Sequence, residues 1–186
     1  MATGATIHRA ELSIADMDRN YYADHSLTLA RHPSETAERL MVRVLAFAMF
    51  AGPDLAFGRG LSSDDEADLW LRDRTGLIEL WVDVGIPDEK WLRKACGRSR
   101  RVVVLAYGAS KADQWWKRNA AELQRLENLT VLSLPASSSA GLAALADRSM
   151  RLNVTIQESQ VWIGSESKEV SVQMDVLKPD ATSAHQ

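Results

Sequence analysis

Hydrophobic and polar residues alternate in two stretches near the start of the chain, 5–15 and 21–31. In the first stretch Ala10, Leu12 and Ile14 lie on one face, which is the pattern of a strand that is buried on one side. The second stretch reads the same way, and the polar segment DMDRN between them is typical of a turn. The chain is therefore predicted to open with an antiparallel hairpin.

A long helix is predicted after this hairpin. The segment HPSETAERLMVRVLAFAMF has hydrophobic residues at helical spacing, with Pro33 at its start, Ser34 as the N-cap and Gly52 at its end. Beyond it, DLWLRD and LIELWVDVG read as two strands joined by the turn RTG. Residues 68–84 are therefore predicted to form a second hairpin.

The middle of the chain alternates between helices and strands. PDEKWLRKACG predicts a helix from Pro87 that ends before Gly97, and SKADQWWKRNAAELQRL predicts a helix capped by Ser110. RRVVVLAYG and NLTVLSLP are continuous hydrophobic runs, which are typical of strands covered on both faces. A short helix over 139–147 and three alternating stretches, MRLNVTIQ, QVWIG and EVSVQMDVL, complete the pattern.

These elements predict a mixed α/β (α+β) fold, with a central mixed β-sheet flanked by helices and antiparallel hairpins at both ends. The strand–helix order of the middle implies parallel neighbouring strands. A chain of 186 residues is most simply one domain. We expect that domain to span residues 1–178 and a disordered tail to span residues 179–186.

Composition and charge bear mainly on location. The net charge of −3 does not indicate a general polyanion binder, although residues 90–101 contain six basic side chains and no acid. The single cysteine, Cys96, fits a reducing compartment, and the first residues lack a secretion signal. The longest apolar run, nine residues, is too short to cross a bilayer. We therefore expect a cytoplasmic protein without a membrane segment.

The strand LIELWVDVG carries charge on a face that would otherwise be buried. Glu79, Trp81 and Asp83 share that face; Asp68 opens the preceding strand; and Glu38 heads the apolar stripe of the long helix. Clustered carboxylates raise each other's pKa, and Mg²⁺ relieves this with its preference for oxygen ligands. The same acids could equally be solvated or paired with arginines. The sequence leaves a metal site and a salt-bridged surface both open.

Four segments of the chain resemble the YaeQ family of bacterial proteins: SLTLARHPSETAERLMVR, DEADLWLRD, IELWVDVGIPDEKWLRKAC and LADRSMRLNVTIQ. The resemblance runs over nearly the whole chain. That family is similar in fold to the PD-(D/E)XK nucleases, so the resemblance implies a restriction-endonuclease-like core. In those nucleases a helix glutamate, a strand aspartate and an acid-x-lysine bind a metal ion and cut phosphodiester bonds.

Carried over by position, the resemblance implies that Glu38, Asp68 and Asp83 are the metal ligands. Gly85 stands where the motif lysine is expected, so Lys94, or less favourably Lys90, would supply the amine from the next helix. Further candidates are Glu79, on the same strand face as Asp83, and three residues at the start of the long helix that are placed to meet a metal or a phosphate, Arg31, His32 and Ser34.

The leading hypothesis is a nuclease-like protein that depends on Mg²⁺ or Mn²⁺ and acts on the phosphodiesters of DNA or RNA. The missing lysine favours an alternative, a catalytically degenerate nuclease fold that serves as a nucleic-acid- or protein-binding regulatory or adaptor protein. A third hypothesis is binding of a protein partner through the sheet ends or the tryptophans.

Overall fold

The computed structural model describes residues 4–62 and 65–181. Its strands form two separate mixed sheets, and a buried helix packs between them. The predicted mixed α/β class is confirmed, with the strands divided between two sheets where a single central sheet was predicted.

The first sheet has five strands in the order β10-β9-β8-β1-β2. The predicted opening hairpin is confirmed, since its two strands pair in antiparallel fashion from end to end. Strand β1 also pairs in parallel with the central strand β8, which brings the two ends of the chain together. The strands of this sheet are β1 (Thr6–Asp16), β2 (Tyr21–Arg31), β8 (Ser149–Gln157), β9 (Gln160–Gly164) and β10 (Glu169–Gln173).

The second sheet has six strands in the order β11-β7-β6-β5-β4-β3. Strands β5, β6 and β7 run parallel, as their helical crossovers require. Strand β4 is antiparallel to β5, β11 is antiparallel to β7, and β3 is antiparallel to β4 at the edge of the sheet. The strands of this sheet are β3 (Leu55–Phe57), β4 (Leu69–Arg72), β5 (Ile78–Val84), β6 (Ser99–Ala106), β7 (Leu129–Ser133) and β11 (Asp175–Lys178).

The helices are α1 (Ala37–Phe50), α2 (Glu89–Arg98), α3 (Ser110–Leu123) and α4 (Ala136–Ala143), with a 3-10 turn at Gly60–Ser62. Every residue of α1 from Leu40 to Ala48 is buried, because both sheets contribute to one core around it. A second core lies on the opposite face of the six-stranded sheet, beneath α2 and α3. None of the helices in the described part of the chain is long and apolar enough to span a membrane.

Helix boundaries differ from the predictions because other residues provide the caps. Helix α1 is capped by Thr36, whose hydroxyl accepts the N–H of Arg39 (3.1 Å), so Ser34 lies outside it. Helix α2 is capped by Asp88 and contains Gly97, which was predicted to follow it. Ser110 is the first residue of α3 and does not cap it, and α4 begins at 136 where 139 was predicted.

The C-terminal stretch also differs from its prediction. EVSVQMDVL, predicted as one strand, is divided at Met174, and its two halves join different sheets as β10 and β11. Part of the predicted tail is ordered: Asp180 is buried near Arg101, and the N–H of Ala181 donates to the carbonyl of Glu127 (3.1 Å). Residues 182–186 of the predicted tail lie outside the described residues.

Candidate active site

Asp68 and Asp83 meet at the end of the second hairpin. The register pairs Leu69 with Val82, so the two aspartates are the next cross-strand neighbours. The N–H of Asp68 donates to Oδ1 of Asp83 (3.3 Å), and the N–H of Val84 donates to Oδ2 of Asp68 (2.8 Å). The predicted pairing of these two acids is therefore present.

Two indoles bind the carboxylate of Asp83. Oδ2 accepts the Nε1–H of Trp81 (2.9 Å) and of Trp91 (2.7 Å), so one tryptophan comes from the same strand and one from α2. Burial, and to a lesser degree the charge of Asp68, raises the pKa of Asp83 to about 6. The indole hydrogen bonds oppose that rise, because they stabilise the charged form. Asp83 therefore titrates close to neutral pH.

Arg39 of α1 reaches the other aspartate. Its Nη2 donates to Oδ1 of Asp68, and its Nη1 donates to Oε1 of Glu35 (2.9 Å). Burial alone would lower the pKa of Arg39, but Asp68 and Glu35 outweigh it and raise that pKa. Arg39 therefore stays charged between two carboxylates.

Glu35 is a buried acid that the sequence interpretation missed. It precedes α1 and accepts three guanidinium hydrogen bonds, one from Arg39 and two from Arg43 at 2.8 Å each. Its position three residues before Glu38 gave no periodic signal, because it lies outside the helix. The signal that was available is the spacing of Glu35, Arg39 and Arg43 at intervals of four residues, which turns both arginines of α1 towards the acid that precedes it.

The charges of this network do not cancel. Two acids, Glu35 and Asp68, are matched by the two guanidinium groups of Arg39 and Arg43. Asp83 forms no ion pair within residues 4–62 and 65–181. Its carboxylate is thus buried with hydrogen bonds but without a counter-ion, which is costly unless a cation joins or a proton binds.

The network opens into a cleft of about 490 Å³. Arg39, Asp68, Asp83 and Trp91 line it, together with Glu66 and Asp88, so its walls hold one basic and four acidic residues. Leu61 and Ile86, both about half exposed, add apolar surface to its walls. The cleft is therefore acidic, and a cation would be attracted to it.

Comparison with known proteins assigns nearly the whole chain to one family. The family model described as "YaeQ protein" matches residues 1–174. The chain belongs to the YaeQ family. It is 42% identical to the YaeQ protein of Escherichia coli (strain K12) and 41% identical to that of Salmonella typhi, each time over 174 residues that cover 94% of this chain and 96% of the relative.

Solved YaeQ structures have the same fold as this chain. The crystal structure of YaeQ from Xanthomonas axonopodis pv. citri is 53% identical, with a TM-score of 0.91 over 94% of this chain and 98% of that one. YaeQ from Pseudomonas syringae is 33% identical, with a TM-score of 0.88 over 95% of this chain and 98% of that one.

The third acid of the predicted set lies apart in this YaeQ-family chain. Glu38 is half-buried on α1, and the described residues bring no three Asp, Glu, His or Cys side chains together for a metal ion. Glu79 instead lies 3.4 Å from Nη1 of Arg100. The predicted ligand set is thereby reduced to the Asp68–Asp83 pair.

Neither candidate lysine contacts the two aspartates. Nζ of Lys94 forms an ion pair with Asp65, and Lys90 is exposed at the start of α2. The cationic group that lies beside Asp68 is Arg39, which the sequence interpretation did not select. The catalytic roles of Lys94 and Lys90 stay predictions.

Gly85, at the motif-lysine position, has a backbone reason to be glycine. Its φ is +106°, a conformation that L-residues rarely adopt, and its N–H still pairs with the carbonyl of Leu105 (2.9 Å). A Cβ there would meet Cε1 of Tyr107 at 3.9 Å, which is an ordinary contact. Backbone conformation, and not lack of space, therefore disfavours a lysine at this position.

Tyr107 is a further residue that the sequence interpretation missed. Burial raises its pKa to about 12, Arg39 opposes that rise, and the carboxylates of Glu38, Asp68 and Glu35 add to it. Its phenol is therefore within electrostatic range of Glu35, Glu38 and Asp68, and it stays protonated at neutral pH.

The residues predicted near the helix start form local contacts. Nδ1 of His32 is 2.7 Å from Oγ of Ser34, and Nε of Arg31 donates to the backbone carbonyl of Glu35 (2.9 Å). These contacts shape the loop that positions Glu35. A role for them in metal or phosphate binding stays a prediction.

Proposed function

We propose that this chain is a divalent-metal-dependent, nuclease-like protein that acts on nucleic-acid phosphodiesters, with Asp68 and Asp83 as its metal ligands. One observation carries the proposal: Asp83 is buried beside a second carboxylate without an ion pair among the described residues. A cation between the two carboxylates would remove that cost.

The donor set suits Mg²⁺ or Mn²⁺. Both ions prefer oxygen ligands, and Mg²⁺ is commonly held by one or two carboxylates together with waters and substrate phosphates. Each carboxylate oxygen has about two acceptor sites. Both oxygens of Asp68 and Oδ1 of Asp83 each accept one protein hydrogen bond, while Oδ2 of Asp83 accepts two. Three of the four oxygens therefore keep an acceptor site that faces no donor among the described residues.

The other residues of the cleft have roles that follow from their charges. When bound, a divalent ion would lower the pKa of a coordinated water and stabilise charge on a phosphoryl oxygen. Arg39, held by Glu35, presents guanidinium N–H groups to a phosphate beside Asp68. In this arrangement Arg39 supplies the positive charge that the motif lysine would otherwise provide. The reaction is a hydrolysis, in which water adds across one P–O bond and breaks it.

The proposal is tested by titrating Mg²⁺ and Mn²⁺ while measuring Tm, and by incubating single- and double-stranded DNA and RNA with each ion. We expect the ions to raise Tm and to support cleavage in the wild type, and D83N and D68N to lose both effects. E79Q is the matched control, since Glu79 is an acid of the same strand that pairs with Arg100. If neither ion changes Tm and all substrates stay intact, the enzyme proposal is rejected.

A separate observation favours a second function, binding without cleavage by a degenerate nuclease fold. All four oxygens of Asp68 and Asp83 already accept protein N–H groups, and Gly85 replaces the lysine. The acidic and apolar lining of the cleft would then select a basic protein segment, while a nucleic acid would have to bind elsewhere on the surface.

The two binding modes differ in their response to salt and to competitors. Nucleic-acid binding that persists in chelator, weakens with salt and never leads to cleavage would support a nucleic-acid adaptor. Binding of a lysine-rich peptide that D83N and D68N weaken, and that E79Q does not, would support a protein-binding adaptor. If neither of these binding modes is observed and nucleic acid is cleaved, only the nuclease proposal stands.

A further inference from the structure

A second cavity lies between the two sheets, beside strands β6, β7 and β11. Its volume is about 270 Å³. It shares no lining residue with the acidic cleft, which is lined from the loop before β4, from β5 and from α2. The cavity is thus independent of the proposed metal site.

The walls of this cavity are mostly apolar. They come from the end of α1, from the β8–β9 hairpin and from the inner face of the six-stranded sheet, with Phe50, Leu132, Ile156 and Val161 among them. Val176 of β11 also lines it and is 61% exposed, an unusual exposure for a large hydrophobic residue. Ligand sites combine such apolar walls with a few placed polar groups.

Two polar groups of the cavity are incompletely satisfied. Nε of Arg101 lies 3.6 Å from Oδ2 of Asp180, which is longer than a normal hydrogen bond, and its guanidinium stacks over Phe50 with 5.8 Å from Cζ to the ring centre. Thr130 lies on the neighbouring strand β7; it is 6% exposed, and its Oγ1 has no hydrogen-bond partner within residues 4–62 and 65–181. Buried hydroxyls without partners are rare, and each calls for an explanation.

The other charged residues of the cavity are already engaged. Asp16 accepts Nε of Arg19 at 2.6 Å, and Nη1 of Arg19 donates to the carbonyl of Ala51 (2.9 Å). Asp18 accepts the N–H groups of Glu158 and Ser159 at 2.7 and 2.8 Å. Of the two arginines that line the cavity, Arg101 has the longer ion-pair distance, 3.6 Å against 2.6 Å for Arg19. Arg101 therefore favours an anionic ligand group.

We propose that this cavity binds a small amphipathic carboxylate, with Arg101 and Thr130 at its polar end and the apolar body between the sheets. A guanidinium matches a carboxylate in shape and charge, and the buried Thr130 hydroxyl adds a donor once it rotates towards the ligand. The cavity volume of about 270 Å³ lies just below the range of about 300–1,000 Å³ for drug-sized ligands, so the ligand is a short-chain or single-ring acid.

The test uses the full chain and sodium octanoate as the probe, with octan-1-ol and octylamine as neutral and cationic counterparts, measured by isothermal titration calorimetry. Octanoate is expected to bind more tightly than either counterpart. R101Q and T130V are each expected to weaken octanoate binding about tenfold, as the loss of a hydrogen bond to a charged group does.

R100Q is the matched control, because Arg100 lies on the same strand but faces Glu79 on the other side of the sheet. T130V removes a partnerless buried hydroxyl, so the Tm of the free variant should hold or rise, and a loss of affinity cannot then come from unfolding. The proposal is overturned if the three probes bind equally, if octanoate does not bind at millimolar concentration, or if R100Q weakens binding as much as R101Q.

Discussion

The backbone N–H of Asp68 donates to the carboxylate of Asp83 across the β4–β5 hairpin, over 3.3 Å. This single bond ties two acids of adjacent strands into one network, which continues through Arg39 to Glu35 on one side and through two indoles on the other. The network has one more negative charge than positive charges, and Asp83 carries it. Most of the testable behaviour of the site follows from this unpaired negative charge.

The first prediction concerns pH. The pKa of Asp83 rises from 3.8 to about 6 on folding, so the folded protein holds its proton more tightly than the unfolded chain does. This contribution to stability is fully present below about pH 4 and is lost as pH rises through 6, a change of about 3 kcal/mol. Urea unfolding from pH 4 to 8 in chelator should show wild type losing stability relative to D83N across that window.

The control for this pH effect is D88N, because Asp88 is an exposed acid of the same cleft that caps α2 through the N–H of Lys90 (2.8 Å). D88N should follow the wild-type pH profile. Parallel profiles for wild type and D83N would show that Asp83 does not titrate in this range.

The second prediction concerns the ion pair of Arg39 and Asp68. R39M should destabilise the fold by about 3 kcal/mol, because it leaves Asp68 buried without a cation, while Glu35 keeps Arg43. Adding D68N to R39M should recover part of that loss. A double-mutant cycle read by urea unfolding should give a coupling energy of about 1–3 kcal/mol, and a coupling near zero would remove this pair from the network.

The third prediction concerns Gly85. G85A should destabilise the protein by about 1–2 kcal/mol, because alanine is strained at a φ of +106° even though space for its Cβ exists. G97A is the matched control: Gly97 lies inside α2 with open space around a Cβ, so alanine should stabilise by about 0.5–1 kcal/mol. Thermal unfolding measures both, and equal signs for the two variants would contradict the backbone explanation.

The fourth prediction concerns Trp91. W91F keeps a ring in place but removes the indole N–H that donates to Asp83 at 2.7 Å. We expect a loss of about 1.5–3 kcal/mol at pH 8, where Asp83 is charged, and a smaller loss at pH 4, where it is protonated. W116F, on α3, is the control, since Trp116 has no indole hydrogen bond among the described residues. A pH-independent loss in W91F would indicate packing alone.

The hydrophobic pattern predicted most helices and strands, because each depends mainly on residues that are close together in the sequence. Alternation over 21–31 placed β2 within its observed bounds, and the turn RTG fixed the hairpin that sets Asp68 opposite Asp83. Caps were harder to place: Thr36 and not Ser34 begins α1, because Ser34 is bound to His32 in the loop. Several residues near a helix start are chemically able to cap it, and only the path of the chain selects one.

The sequence by itself determined most of the strands and helices, which of their faces are buried, and that two aspartates of one hairpin are neighbours. Only the tertiary structure decided that Arg39 and not a lysine lies beside Asp68, that Trp91 reaches Asp83, and that Glu35 is the buried helix-entry acid. It also divided EVSVQMDVL between two sheets. The physical reason is that hydrophobic periodicity encodes the face a residue occupies, whereas the partner of a polar side chain depends on contacts between elements far apart in the chain.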